Sequence, residues 1–305
     1  MGKTALLFPG QGAQAPGMGS EAAEDYPSAR AVFDQADQAL GFSLSKLCFE
    51  GPAVDLTLTE NTQPAILACS VAVLAAAREK GLEADYVAGH SLGEYSALVA
   101  AGAIDFADAV KLVRNRGRYM QQAVPAGVGA MAAILGLDSA TVSEVCERAA
   151  EGQVVSPANL NSPAQVVIAG HVQAVTRAVA AATEAGARKT VMLNVSAPFH
   201  CALMQPACDR LTPELDAIEF RDLSMPLINN ADAAEISSAG GARAGLKKQI
   251  PNPVLWEQSI RCLAERGVTR FVEVGPGRVL TGLLRSIDRS LTGIAIGERA
   301  SLEKL

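Results

Sequence analysis

The chain has 305 residues and a mass of 31.6 kDa, with 49% hydrophobic and 19% charged residues, which is typical of one large globular domain or two. This composition excludes a disordered polymer, a coiled coil and a collagen-like chain. The 26 Lys and Arg residues against 32 Asp and Glu give a net charge of −6. No overall basic field therefore exists that would attract nucleic acid or an anionic membrane surface.

Six cysteines are spread along the chain without a CxxC pair or a spacing typical of zinc, which favours free thiols in a reducing compartment. The N-terminal apolar run, Ala5 to Phe8, is too short for the core of a signal peptide. The longest charge-free stretches are interrupted by polar residues, proline or glycine, so no membrane span is expected. We therefore expect a cytoplasmic protein with no bound metal or redox cofactor.

In chain order, the first predicted strand, Ala5–Phe8, runs into a glycine loop at 9–14. This loop has neither the GxGxxG nor the P-loop spacing, which disfavours nucleotide binding. A helix over 65–80, a strand over 86–88 and a helix over 94–101 are predicted next. Strand, tight turn and helix recur here, which predicts an α/β domain with a parallel sheet.

From about residue 124 the predicted order changes to strand, helix, two strands, helix and strand: 131–135, 139–150, 154–158, 166–169, 172–185 and 190–195. This βαββαβ order is that of a split ferredoxin-like unit. After it, α/β signals resume with a helix near 202–218 and a strand, Arg270–Val274. We therefore predict one domain formed by residues 1–123 and 199–305, with a smaller domain, 124–198, inserted into it.

The sharpest local motif is Gly89-His90-Ser91-Leu92-Gly93, which fits GxSxG and lies between a predicted strand and a predicted helix. A serine on such a turn is exposed at the sheet's carboxyl edge as a nucleophile. The amide of Leu92, at the start of the helix, would point to the same place and could stabilise an oxyanion. The alternative is a glycine turn in which Ser91 only caps the helix.

A serine nucleophile needs a base, most often histidine, and the chain has only three histidines. His90 is the neighbour of Ser91 and is better interpreted as a packing group, and His171 follows a strand of the inserted unit. His200 lies where the chain returns from that unit, at a place where a cleft is expected. By elimination His200 is the candidate base, against the alternative of a structural histidine, and no distinctive acid is found to orient it.

Arg116 gives the clue to the substrate. On the predicted helix after Asp105, it falls on the same stripe as the apolar residues Val113 and Met120. An inward-facing guanidinium needs a carboxylate partner, and its fork suits a bidentate one. That carboxylate belongs either to an Asp or Glu of the protein or to a substrate; the spacing does not distinguish the two.

Several separated motifs together resemble those of the malonyl-CoA:acyl carrier protein transacylases and their relatives in polyketide synthases. They are Phe8 to Gly12, Gly89 to Glu94, Arg116-Gly117, Ser196 to His200, Gln249 with Asn252-Pro253, and Glu273 to Gly277. The similarity covers nearly the whole chain. It implies an α/β-hydrolase-like large domain with an inserted ferredoxin-like domain.

The resemblance also implies ping-pong transfer of a malonyl group from malonyl-CoA to an acyl carrier protein. Ser91 would carry the malonyl group, His200 would be the base, and the main-chain carbonyl of Gln249 would orient it. The amides of Gln11 and Leu92 would form the oxyanion hole, and Arg116 would bind the malonyl carboxylate. Phe199 resembles a phenylalanine of malonyl-selective polyketide acyltransferases. A monomer is expected.

Three alternatives stay open in the sequence. A discrete acyltransferase serving a polyketide synthase would share every motif. A serine hydrolase would share Ser91 and His200 but release its product to water. A non-catalytic nucleotide- or pantetheine-binding module would use only the loops at 10–12 and 275–277. For the carrier protein, which is acidic in this family, the predicted docking face is Arg243, Lys247 and Lys248, with Arg285.

Overall fold

The structure, a computed structural model, describes residues 2–195 and 197–305. Its first sheet contains six strands: β1 (Lys3–Phe8), β2 (Tyr86–Gly89), β7 (Leu227–Ile228), β8 (Glu235–Ile236), β9 (Val268–Val274) and β10 (Gly293–Ile296). Their order across the sheet is β10-β9-β1-β2-β7-β8, and every pair is parallel except β7 with β8. The central strands are buried, which explains their nearly continuous apolar sequences.

The second sheet is antiparallel and has four strands: β3 (Gly129–Leu135), β4 (Val155–Ser162), β5 (Gln165–His171) and β6 (Lys189–Met192). Its order is β4-β5-β3-β6. Two helices belong to the same stretch of chain, α8 (Ser139–Ala150) and α9 (Val172–Glu184), and they pack on this sheet through a separate apolar core. The βαββαβ order of the sequence prediction is therefore present.

The remaining helices surround the first sheet. They are α1 (Ser20–Asp25), α2 (Pro27–Leu40), α3 (Leu44–Glu50), α4 (Ala53–Leu56), α5 (Thr59–Glu79), α6 (Gly93–Ala100), α7 (Phe106–Gln122), α10 (Gln205–Ala217), α11 (Ala239–Gln249), α12 (Trp256–Glu265), α13 (Val279–Ile287) and α14 (Arg299–Leu302), with a 3₁₀ turn at Ala202–Met204. Most of α5 is buried, so this alanine-rich helix runs through the main core.

Backbone hydrogen bonds join β4 of the antiparallel sheet to the segment between α11 and α12. The Leu160 amide of β4 donates to the Val254 carbonyl at 2.9 Å, and the Val254 amide donates to the Ala158 carbonyl at 2.9 Å. Asn159 and Val254 thereby form a parallel bridge. The antiparallel sheet is therefore attached on its β4 side to the segment that precedes α12. The division of the chain at 124 and 198 into two domains stays a prediction.

Some element bounds differ from the sequence prediction. The predicted helix over 65–80 begins earlier, at Thr59, and includes Pro64. The loop predicted after residue 158 is wrong, since β4 continues to Ser162 with two register shifts. The strand predicted to Val195 ends at Met192. The first four helices were not predicted; α2, for example, buries only Ala29, Phe33 and Ala36, a weak apolar stripe.

Candidate active site

Ser91 lies on a tight turn between β2 and α6. Its φ of 52° is in the left-handed region, where a residue with a side chain is strained. A Cβ on Gly89 would lie 1.9 Å from the Gly93 carbonyl oxygen, and a Cβ on Gly93 would lie 2.0 Å from the Phe8 carbonyl oxygen. Both glycines are therefore required for the turn, which holds the Ser91 hydroxyl at the carboxyl edge of the large sheet.

His200 lies next to Ser91, with its Nε2 2.6 Å from the Ser91 Oγ. Its Nδ1 is 3.1 Å from the main-chain carbonyl oxygen of Gln249. Because a carbonyl only accepts, Nδ1 carries the proton and Nε2 accepts from the serine hydroxyl. Burial, together with the positive charge of Arg116, lowers the pKa of His200 to about 3. The imidazole is therefore neutral and able to take a proton at neutral pH.

Arg116 of α7 is 1% exposed, and its guanidinium reaches the same point. Its Nη1 donates to Gln63 Oε1 at 2.8 Å, and its Nη2 donates to Gln249 Oε1 at 2.9 Å and to Ser91 Oγ at 3.2 Å. The ion pairs found over 2–195 and 197–305 do not include Arg116. The sequence left two carboxylate partners open for this guanidinium, one from the protein and one from a substrate. In the described chain, no Asp or Glu contacts it.

Ser91 lines a cleft of about 120 Å³. Residues of the large α/β part and of the antiparallel-sheet part both line the cleft: Gln11, Gln63, His90, Ser91, Leu92, Arg116, Met120, Met131, Asn159, Leu193, Val195, Phe199 and His200. Apolar side chains from the antiparallel sheet thus face the polar group of the large sheet across the opening. An apolar wall with a few convergent polar groups is typical of a small-molecule binding site.

Gln11 and Leu92, whose amides the resemblance assigns to an oxyanion hole, line this cleft. Leu92 precedes the first residue of α6, and Gln11 follows β1. Neither main-chain N–H has an acceptor within the part of the chain that the structure describes. Two free donors beside a nucleophile suit a developing oxyanion. Their role as an oxyanion hole stays a prediction.

The other histidines have structural partners. His90 Nε2 is 2.8 Å from Asn161 Oδ1 of β4, and burial lowers the pKa of this imidazole. The ring packs on Trp256 at 5.4 Å between ring centroids. His171 Nδ1 accepts from the Val154 amide at 2.9 Å. His90 therefore links the Ser91 turn to the antiparallel sheet, whereas His171 lies outside the cleft.

Two further residues of the predicted return segment take different places. Phe199 lines the cleft and is 9% exposed. Cys201 is buried with its thiol donating to the Pro198 carbonyl at 3.1 Å, and burial raises its pKa to about 11. This thiol is therefore inert at neutral pH. Ser196, the first residue of that segment, lies outside the described residues.

The predicted docking face is less basic than its sequence indicates. Lys247 is 2.6 Å from Asp216, and Lys248 contacts Asp232. Arg243 stacks on the Phe220 ring at 5.0 Å and is partly covered. Arg285, at the end of α13, is exposed.

The sequence analysis did not identify Asn230 and Gln63, and for Gln249 it identified only the main-chain carbonyl. Asn230 Oδ1 accepts from the Ser91 amide at 2.7 Å, and its Nδ2 donates to the Gly89 carbonyl at 2.7 Å. Gln63 holds Arg116, and the Gln249 side chain, in addition to its carbonyl, holds both Arg116 and the Ser91 carbonyl. Each of them directly follows another polar residue in the sequence, so no local pattern singles them out.

Comparison with known proteins agrees with this geometry. A family model described as "Acyl transferase domain" matches residues 5–296. The chain belongs to the acyl transferase family. This acyl transferase is 51% identical over 303 residues to the malonyl CoA-acyl carrier protein transacylase of Escherichia coli K12, covering 99% of this chain and 98% of that protein. It is 48% identical to the protein of that name in Bacillus subtilis, covering 99% and 96%.

Solved structures give the same result for the fold. The acyl transferase matches the crystal structure of an acyl carrier protein S-malonyltransferase from Vibrio cholerae with a TM-score of 0.97, at 48% identity and 99% coverage of both chains. A malonyl-transacylase in complex with a type II polyketide synthase acyl-carrier protein matches with a TM-score of 0.97 at 47% identity, covering 99% and 98%. The resemblance and the α/β fold class predicted from the sequence are thereby confirmed.

Two searches of the described residues concern other classes of site. Among residues 2–195 and 197–305 of the acyl transferase, no group of three His, Cys, Asp or Glu side chains is placed to hold a metal ion. The same residues include no helix long and apolar enough to span a bilayer.

Proposed function

We propose that this acyl transferase moves a malonyl group from malonyl-CoA to the phosphopantetheine thiol of an acyl carrier protein in fatty acid synthesis. The observation that carries the proposal is the Arg116 guanidinium, which is buried, 3.2 Å from the Ser91 hydroxyl and without a contacting carboxylate in the described chain. A substrate with a free carboxylate two carbons from its reactive carbonyl satisfies that charge. The names of the relatives support the same assignment.

In the loading step, His200 Nε2 takes the proton of the Ser91 hydroxyl while the oxygen attacks the thioester carbonyl of malonyl-CoA. The carbonyl oxygen becomes an oxyanion, which the amides of Gln11 and Leu92 stabilise. When the intermediate collapses, the carbon–sulfur bond breaks and His200 returns its proton to the departing coenzyme A sulfur. The product is a malonyl ester on Ser91.

In the transfer step, His200 takes the proton of the carrier protein's phosphopantetheine thiol, and the sulfur attacks the malonyl ester. The ester bond to Ser91 breaks, and the imidazolium returns the proton to the serine oxygen. The Gln249 carbonyl, 3.1 Å from His200 Nδ1, holds the ring in the required tautomer throughout and stabilises its charged form. This carbonyl takes the place of the acid of a Ser-His-Asp triad.

The chemistry requires no cofactor, because serine, histidine and backbone amides supply every group in these steps. We propose a monomer that acts in the cytoplasm, where its free cysteines stay reduced. The carrier protein and malonyl-CoA are the proposed partners. One solved neighbour is a malonyl-transacylase bound to a polyketide synthase carrier protein, so service to a polyketide synthase is the alternative use of the same reaction.

The test is intact mass spectrometry of the protein mixed with malonyl-CoA. We expect one added malonyl mass, which disappears when a carrier protein with a free phosphopantetheine thiol is added and appears on that carrier. Ser91→Ala is the control and gains no mass. An unmodified protein without adduct would refute the proposal, and an adduct lost to water at the same rate with and without carrier would indicate a hydrolase.

A further inference from the structure

Glu94 is a buried carboxylate that has no part in the steps above. It lies in the first turn of α6 and is 1% exposed. Its Oε2 accepts from the Asn230 amide at 2.9 Å and from Gln249 Nε2 at 2.9 Å. Among the ion pairs of the described chain, none includes Glu94. A buried acid without a contacting cation is costly, so its retention needs a physical reason.

The Gln249 side chain joins Glu94 to Arg116. Its Nε2 donates to Glu94 and its Oε1 accepts from Arg116 Nη2, at 2.9 Å each. A guanidinium and a carboxylate, both buried, are thus separated by a single amide group. The charges attract one another, since Arg116 lowers the pKa of Glu94 against the larger effect of burial, which raises it to about 7.

The separation matters for the substrate. An acid in direct contact with Arg116 would occupy the fork that the malonyl carboxylate needs, whereas an acid one amide away stabilises the cation and leaves the fork free. We propose that Glu94 is the resident counter-charge of Arg116, acting through Gln249, and that it limits the stability of the malonyl ester on Ser91. This inference rests on the proposed function and makes Glu94 a positioning residue rather than a catalytic one.

The Glu94 charge should affect the malonyl loading equilibrium in a definite direction. Before loading, the Glu94 charge stabilises Arg116; after loading, the same charge repels the malonyl carboxylate. Removing it should therefore shift the loading equilibrium toward the malonyl ester, by about tenfold for unit charges on the order of 10 Å apart at an effective dielectric constant of about 20. An acetyl group carries no charge, so acetyl loading should not change.

The experiment compares Glu94→Gln, a neutral side chain of the same shape, with the unmodified protein at about pH 8.5, where Glu94 is ionised. Mass spectrometry measures the loaded fraction at fixed ratios of acyl-CoA to coenzyme A, for malonyl-CoA and for acetyl-CoA. Glu273→Gln is the matched control, because Glu273 is equally buried, at 1% exposed. Its carboxylate accepts from the Leu280 and Thr281 amides, and neither of these residues contacts Arg116 through a hydrogen bond described above. The control should leave both equilibria unchanged.

Each outcome decides the question. Malonyl loading that rises about tenfold in Glu94→Gln, without a change in acetyl loading, supports the proposal. Malonyl loading that is unchanged or lower, or an equal shift for both acyl groups, overturns it and makes Glu94 structural. Failure of the unmodified protein to load malonyl at all would instead refute the proposed function.

Should Glu94→Gln not fold, the unmodified protein gives a second test. The ratio of malonyl to acetyl loading should fall as the pH rises through about 7 and Glu94 becomes charged. The groups that face Glu94 keep their charge state there: Arg116 stays a cation, burial keeps the pKa of Tyr95 well above its usual range, and Lys248 holds the pKa of Asp232 low. A ratio that does not change with pH would overturn the proposal.

Discussion

Replacement of Arg116 by alanine separates binding of the malonyl carboxylate from the chemistry at Ser91. In the structure the guanidinium has only neutral acceptors, Gln63 and Gln249, besides the serine oxygen. The malonyl carboxylate would therefore be its one ionic partner in contact. Truncating one member of a buried, hydrogen-bonded charge pair costs about 2–5 kcal/mol. At about 1.4 kcal/mol per factor of ten, kcat/KM for malonyl-CoA should fall by about 30-fold to several thousand-fold.

The assay follows thioester exchange with malonyl-CoA and with acetyl-CoA in the same preparation. Arg116→Ala should lose malonyl transfer and leave acetyl transfer intact or improved, because an acetyl group has no carboxylate to bind. Arg118→Ala is the matched control on the same helix, since Arg118 is exposed and donates to Asn115. An equal loss for both acyl groups, with a normal melting temperature, would refute the reasoning and make Arg116 a structural residue.

Three further predictions concern His200, the nucleophile turn and the carrier protein. The pKa of His200 is about 3 in the folded state and near 6.5 in the unfolded state, so between these values the unfolded state binds one more proton. The free energy of unfolding, measured by urea titration, should therefore fall as the pH drops from about 6.5 toward 3, and it should fall less in His200→Gln. An equal fall in His200→Gln and in the original protein would contradict the lowered pKa. Gly93→Ala should abolish soluble expression or Ser91 labelling, because its Cβ would lie 2.0 Å from the Phe8 carbonyl oxygen. The control is Gly240→Ala in α11, where an added Cβ has no atom within 4 Å. In thermal melts this control should be neutral or stabilising by up to about 1 kcal/mol. Arg285→Glu should raise the KM for an acidic carrier protein and leave the KM for malonyl-CoA unchanged. A KM for the carrier protein equal to that of the original protein would show that Arg285 is not part of the docking face.

The local part of the site could be predicted from sequence. GxSxG between an apolar strand and a helix predicts a turn, and the structure has that turn; the close approach at Gly89 is local, whereas that at Gly93 comes from Phe8 of the neighbouring strand. Arg116 on an apolar stripe also indicated burial correctly, because helical periodicity is local. The pairing of His200 with Ser91 was reached only by elimination among three histidines, and their 2.6 Å separation is a property of the fold.

The polar residues beneath the turn could not be predicted in this way. Asn230, Gln249 and Glu94 meet because the end of β7, the end of α11 and the start of α6 come together in the fold, and no periodicity of any single segment records that convergence. The same holds for β4, whose buried asparagines at 159 and 161 disguise a strand as a loop. The Asn161 side chain is bonded to His90 on the nucleophile turn, a partner that only the three-dimensional arrangement supplies.

The bridge between β4 and residue 254 has a consequence for solution measurements. The amide protons of Leu160 and Val254 are each bonded to a carbonyl on the other side of the junction, so neither can exchange with deuterium unless β4 separates from the segment around residue 254. These two protons therefore act as built-in reporters. Their exchange rates, compared before and after acylation, distinguish a cleft wall that separates during turnover from one that stays in place.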